Sequence, residues 1–199
     1  MGQPLKRVVG HQENMNRIPK CIIVTGRPGS GKTTLAKKLG ERLWMPVISR
    51  DEIKEGYVST YGVKHDQLPP NTNALVSDFF FDIVNLYLAN RVSVVIEAAF
   101  QHHVWEPRIP KIFEMACARI VLCSADDAVA VRRHLQRGLE NPDREFSHGD
   151  KRVVHYRKTG EVLSPANYVA PEFDVPTIHV STDGEYVPSI DEIVKQICL

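Results

Sequence analysis

The segment GRPGSGKTT, residues 26–34, follows directly on the apolar run CIIVT, and no other stretch restricts the possible fold so strongly. Gly26, Gly31, Lys32 and Thr33 match the spacing G-x-x-x-x-G-K-[ST], with a strand pattern before them and a helix pattern after. A polyphosphate needs many donors at close quarters, and backbone N–H groups supply them where side chains stay out of the way. Gly26, Gly29 and Gly31 permit such a curl, and a helix opening at Gly31 adds its positive end. Lys32 is placed to reach β- and γ-phosphates, and the Thr33 hydroxyl suits Mg²⁺, which takes few protein ligands. Arg27, Pro28, Ser30 and Thr34 complete the candidate contact set of the loop.

From Lys20 onward short apolar runs alternate with helical patterns, the signature of βα units around a mostly parallel sheet. Strands are expected at 21–25, 46–49, 92–98, 118–124 and 175–181. Leu35, Leu39 and Leu43 recur at helical spacing behind the glycine loop. In 71–90, Leu75, Phe79, Ile83 and Leu86 form one stripe, with Val76, Phe80, Val84 and Tyr87 beside it, so a wide buried helix face is expected. A chain of 199 residues suffices for one domain, here 20–199, preceded by a polar segment, 1–19, that reads as a mobile arm.

The formal net charge of +1 excludes a bulk attraction to nucleic acid or membrane, so functional charge must be local. Cys21, Cys117, Cys123 and Cys198 form no C-x-x-C pair and no zinc-type spacing, and read as reduced core thiols. No run approaches 18 apolar residues, and a cytoplasmic protein is expected. Nothing in the sequence specifies an oligomeric state.

Three later motifs narrow the reading. SRDEIK follows the second strand, where parallel sheets bind ligands, and puts Asp51 at the crevice; the same carboxylate suits the cap of a helix running from Glu52. VVIEAAF ends the third strand with Glu97 after the apolar Val94, Val95 and Ile96. Residues 131–158 hold eight Lys or Arg against four Asp or Glu, a basic island in which Arg133 and Arg137 share a helix face, with Arg132 adjacent.

Together with VTGRPGSGKTTLAKKLGERL, these motifs resemble the small P-loop kinases of the AAA_33 group, related to zeta toxins, chloramphenicol phosphotransferase and gluconate kinase, over about residues 20–198. The resemblance implies a three-layer α/β fold with a five-stranded, mainly parallel sheet in the order 2-3-1-4-5 and a small helical lid at about 131–158. It implies ATP and Mg²⁺ as cofactors, with Asp51 accepting the proton of an acceptor hydroxyl. Glu97 then holds a water on Mg²⁺ or binds the acceptor. The lid arginines, Arg133 and Arg137 with Arg132 as alternate, neutralise the transferring phosphoryl group or stack on adenine.

The acceptor is expected between Asp51, the 54–71 connection, the 72–90 helix and Glu97, with Tyr57, Tyr61 and Arg108 as candidate contacts. His102 and His103 read as an exposed loop pair, and Thr182 and Asp183 as a plain turn beside the adenine. The leading function is transfer of the γ-phosphoryl group to a small-molecule hydroxyl. A polynucleotide or nucleoside kinase is the alternative, with nucleic acid the less favoured partner. Between Arg50 and Arg108 only Arg91 occurs, and this scarcity argues against an acceptor held by its own phosphate. From another class stands a non-catalytic ATP-binding module or switch. A GTPase is disfavoured, because no [NT]-K-x-D motif occurs.

Overall fold

The computed structural model describes residues 18–165 and 167–198; the expected arm lies almost wholly outside them. Five strands, β1 (Lys20–Gly26), β2 (Val47–Ser49), β3 (Val94–Ala98), β4 (Cys117–Ser124) and β5 (Thr177–Ser181), form one sheet in the order β2-β3-β1-β4-β5. All four neighbouring pairs are parallel, and each expected strand is present.

Both faces of the central strands β1 and β3 are covered, which is why they read as unbroken apolar runs, whereas the edge strand β5 alternates and exposes His179. Ile22 and Val24 of β1 pack beneath helix α1 (Lys32–Leu43) and the last helix, α9 (Ile190–Cys198), through Leu35, Leu39, Ile193 and Ile197. Cys21 and Ile23 point the other way, into a cluster with helices α3 (Thr72–Ala89), α4 (His102–Trp105) and α5 (Ile109–Met115). Three layers result. Helix α2 (Arg50–Tyr61) leaves β2 directly, and α6 (Asp127–Glu140), α7 (Pro142–His148) and α8 (Lys151–Thr159) make up the basic 131–158 region.

Four expectations need correction. The buried face of α3 runs through Val76, Phe80, Phe81, Val84 and Leu88, while Phe79 and Leu86 are exposed, the latter by 61%. The helix is apolar on nearly every side, so periodicity alone could not orient it; contact with the sheet does. Only Cys21 and Cys123 are core thiols, and Cys117 and Cys198, near the ends of their elements, are exposed. The 54–71 connection is helical as far as Tyr61, which leaves Tyr57 and Tyr61 stacked on α2, ring centroids 4.7 Å apart, rather than in a loop. His102 belongs to α4 and stacks on Phe173, while His103 is exposed. Among the described residues no helix is long and apolar enough to cross a membrane.

Candidate active site

Sheet register delivers the site residues to one edge. Gly26 pairs with Cys123, Ser49 with Glu97, and Thr25 with Ala98, so the carboxyl ends of β1, β2, β3 and β4 lie side by side. The loop from Gly26 turns tightly there. Gly29 has φ +86°, and a Cβ on it would run into the backbone of Ala130, so only glycine lets the loop pass under α6. Gly31 caps α1 with no side-chain bond and no acidic residue follows in the first turn, which leaves the positive helix end open to an anion. Thr182 Oγ1 donates to the Ser30 carbonyl at 2.9 Å and holds the loop from the β5 side. Arg27 forms an ion pair with Asp127 at the start of α6.

Lys32 is buried, and its Nζ lies 3.5 Å from Glu97 Oε1. Glu97 is only 2% exposed and its other oxygen accepts from Ser49 Oγ at 2.8 Å. A charge so deeply placed survives because both oxygens are engaged. Glu97 therefore faces the cradle lysine rather than open solvent, and Ser49, unremarked in the sequence, sets its orientation.

Asp51 stands in the first turn of α2, 44% exposed, with Arg50 Nη1 3.6 Å away. Burial opposes its charge, but His148, Lys32, Arg50 and Arg144 together outweigh this and hold its carboxyl below the usual carboxylate range. It lines a cavity of about 410 Å³ with Thr33, Ser49, Arg137 and Arg144. A smaller cavity of about 170 Å³ lies over the cradle, lined by Gly29, Gly31, Lys32, Thr33, Thr34, Arg133 and Arg137. Thr33 and Arg137 border both. Arg137 Nε is buried with no hydrogen-bond partner among the described residues.

Arg133, one turn earlier on α6, is engaged differently. Its guanidinium donates to the carbonyls of Thr182 at 2.8 Å and Asp183 at 3.2 Å. It thereby walls a third cavity, about 1020 Å³, between α1 and the Thr182–Tyr186 turn, large enough for a nucleoside. The turn thus serves as a structural tie, a role its sequence does not announce. Arg132 is exposed, one residue round the helix from Arg133. Arg108 pairs with Asp78 and lies over the Phe81 ring, 5.3 Å from its centroid, so it braces α5 against α3. Tyr57 packs towards Phe79 and Tyr61 is exposed; neither lines the cavity of Asp51.

The wall opposite the cradle is completed by α7. His148 Nε2 meets Glu55 Oε1 at 2.8 Å, Arg144 Nη1 lies 3.8 Å from the same oxygen, and Lys64 Nζ is 3.7 Å from Glu145. The two ties to Glu55 pin the basic region to the helix that carries Asp51, and the third reaches the connection after it. Arg144, which lines the cavity of Asp51, and His148 beside it are candidates that spacing could not single out, because their partner Glu55 lies on α2.

Over residues 21–157 the sequence matches the family described as an AAA domain, AAA_33. Among solved structures, a candidate kinase from Chloroflexus aurantiacus is similar with a TM-score of 0.72 at 21% identity, covering 92% of this chain and 98% of that one. APS kinase CysC of Mycobacterium tuberculosis, in complex with AMPPNP and APS, gives 0.55 at 17% identity over 91% and 96% of the two chains. A sugar kinase from Janibacter sp. gives 0.52 at 13% identity over 90% and 92%. No curated protein sequence matches. At these identities the likeness establishes the fold, that of P-loop kinases.

Proposed function

Because the chain belongs to the AAA_33 family and has the fold of P-loop kinases, we propose that it transfers the γ-phosphoryl group of ATP to a hydroxyl of a small acceptor by in-line displacement. One observation carries this reading: Thr33 and Arg137 border both the cavity over the cradle and the cavity that holds Asp51. Donor phosphate and acceptor hydroxyl can therefore meet across a shared edge.

The cradle amides and Lys32 hold the β- and γ-phosphates, and the large cavity beside Arg133 takes the nucleoside. Asp51, ionised throughout the neutral range, orients the acceptor hydroxyl and receives its proton. The acceptor oxygen forms its bond to the γ-phosphorus as the bond to the β-bridging oxygen breaks, and ADP leaves with that electron pair. Arg137, cationic and without a bond to its Nε, faces the equatorial oxygens on which charge develops. Its planar fork suits that task. Thr33 and Asp51 present hard oxygen donors to one cavity and fit Mg²⁺, which would keep most of its waters there and neutralise phosphate charge.

The test is a screen for γ-phosphoryl transfer from ATP to sugars, antibiotics, nucleosides and RNA 5′ ends, with Asp51→Asn as control. Transfer to one class, lost in the variant with nucleotide binding retained, is the expected result. Tight ATP binding with no transfer to any acceptor would make the chain a non-catalytic module.

A further inference from the structure

Lys54 lies one turn beyond Arg50 and Asp51 on α2. It is 5% exposed, and it makes no hydrogen bond or ion pair with any described residue. Its stem is covered, and an ammonium with no partner among the described residues is costly to hold there unless solvent or a ligand reaches it. Burial and the neighbouring Arg50, opposed by Asp51, lower its pKa.

The space it borders gives the reason. Lys54, His65, Leu68, Pro69, Thr72 and Asn73 line a cavity of about 290 Å³ between α2, the short 3-10 helix His65–Gln67 and the start of α3. The 18-residue α3 opens here, and its Asn71 cap makes no side-chain bond, so the positive end of a long helix faces the same space. Arg50 Nη2 donates to Asn73 Oδ1 at 3.1 Å and brings a second cation to the edge, its Nε buried and unpartnered. One acidic side chain also borders the cavity, Asp66, which is half exposed and lies 3.9 Å from Lys64.

We propose that this cavity is an anion subsite for the acceptor, and that the acceptor is an alcohol carrying a phosphate group, seated on Lys54 while its hydroxyl points to Asp51. The proposal rests on the kinase reading for its second half only. The scarcity of arginines in this part of the chain misleads, because the cation concerned is a lysine whose burial only the fold reveals. A phosphate suits the site better than a carboxylate, since an ammonium and a helix end meet at one small space, with the Arg50 guanidinium behind Asn73.

Two measurements test it separately. In the first, inorganic phosphate is titrated at constant ionic strength into protein whose cradle is filled by a non-hydrolysable ATP analogue, and the His65 ring is followed by NMR. A saturable shift is expected in the native protein. Lys54→Met should weaken it by about 10- to 100-fold, the loss of one charge-assisted bond, and Asn73→Asp, an exposed first-turn change that suits a helix start, should weaken it likewise. Removing an unpartnered buried charge should also raise the melting temperature of Lys54→Met, so failure to fold is not the expected confusion. No saturable shift, or equal shifts in all three proteins, would overturn the subsite.

In the second, glycerol, ribose and adenosine are compared with their monophosphates, and glycerol also with glycerate, as acceptors from ATP. The phosphorylated member should lead by about tenfold or more, and that ratio should collapse in Lys54→Met. A preference for glycerate over glycerol phosphate would overturn the phosphate assignment. No transfer to any alcohol would overturn the kinase reading, and the titration would then decide the subsite alone.

Discussion

In the cradle, backbone does the holding: Gly29 and Gly31 have φ near +86° and +74°, and the donors come from consecutive residues between a strand and a helix. Across the cleft, the Asp51 wall depends on side chains from distant parts of the chain, with His148 meeting Glu55 over a separation of 93 residues. The first region is preorganised by local geometry. The second is assembled only when α7 packs against α2, through pairs that are partly exposed and individually weak. Loss of a cradle residue should therefore abolish function while the fold persists, whereas loss of a wall residue should loosen one helix against another.

The largest effect is expected at the cradle. Lys32→Ala removes the point charge on the β/γ-phosphates, and kcat should fall by about 10³-fold; it also leaves Glu97 buried without its cation, so the melting temperature should fall while the protein stays folded. Asp51→Asn should lower kcat by about 10²–10⁴-fold and leave the dissociation constant of ATP nearly as it was, measured by equilibrium titration. Equal losses in both quantities would show that Asp51 belongs to the donor side. Arg133→Ala removes the tie to the Thr182 and Asp183 carbonyls, and should weaken nucleotide binding by about tenfold with a smaller effect on kcat. If kcat falls further than affinity, Arg133 rather than Arg137 faces the transferring phosphoryl group.

The smallest effects belong to the wall. Glu55→Gln should cost about 0.5–1 kcal/mol of stability, read by urea denaturation, because both partners remain able to find water. His148 adds a pH signature. Burial, with Arg144 beside it, outweighs the pull of Asp51 and Glu55 and lowers its pKa below 6.5. The folded chain then binds fewer protons than the unfolded one just below pH 6.5. Stability contributed by neutral His148 is thus complete above that value and lost as pH falls below it. The melting temperature of the native protein should decline over this window more steeply than that of His148→Gln. Asp51, also depressed, contributes a second loss only below its ordinary value of 3.8.

How far the sequence could be read follows the same division. The cradle and the five strands were legible because their causes are local: glycines where φ must be positive, and apolar runs where a strand is covered on both faces. Asp51 was legible as a position, since it follows β2 at the ligand-binding edge. Ser49 was not, because its hold on Glu97 comes from the β2–β3 register. Lys54 was hidden for a similar reason: nothing in DEIKEGY distinguishes a buried lysine from a solvated one. Arg132, Arg133 and Arg137 were equivalent as a basic run, and only the docking of α6 separates one exposed, one tied to a turn and one shared between the cradle cavity and that of Asp51. The pairing of Arg108 was not legible, because Asp78, its partner, lies on another helix.

The pairing of Lys32 with Glu97 means that the cradle carries its own counter-charge. An arriving anion does not meet a bare cation; it must displace a carboxylate that Ser49 keeps in place. A single free phosphate offers little to compensate that exchange, whereas a triphosphate brings several oxygens to the amides and the helix end at once. If the chain is the kinase proposed above, the pair sets a threshold that favours a ligand with many contacts over a small anion.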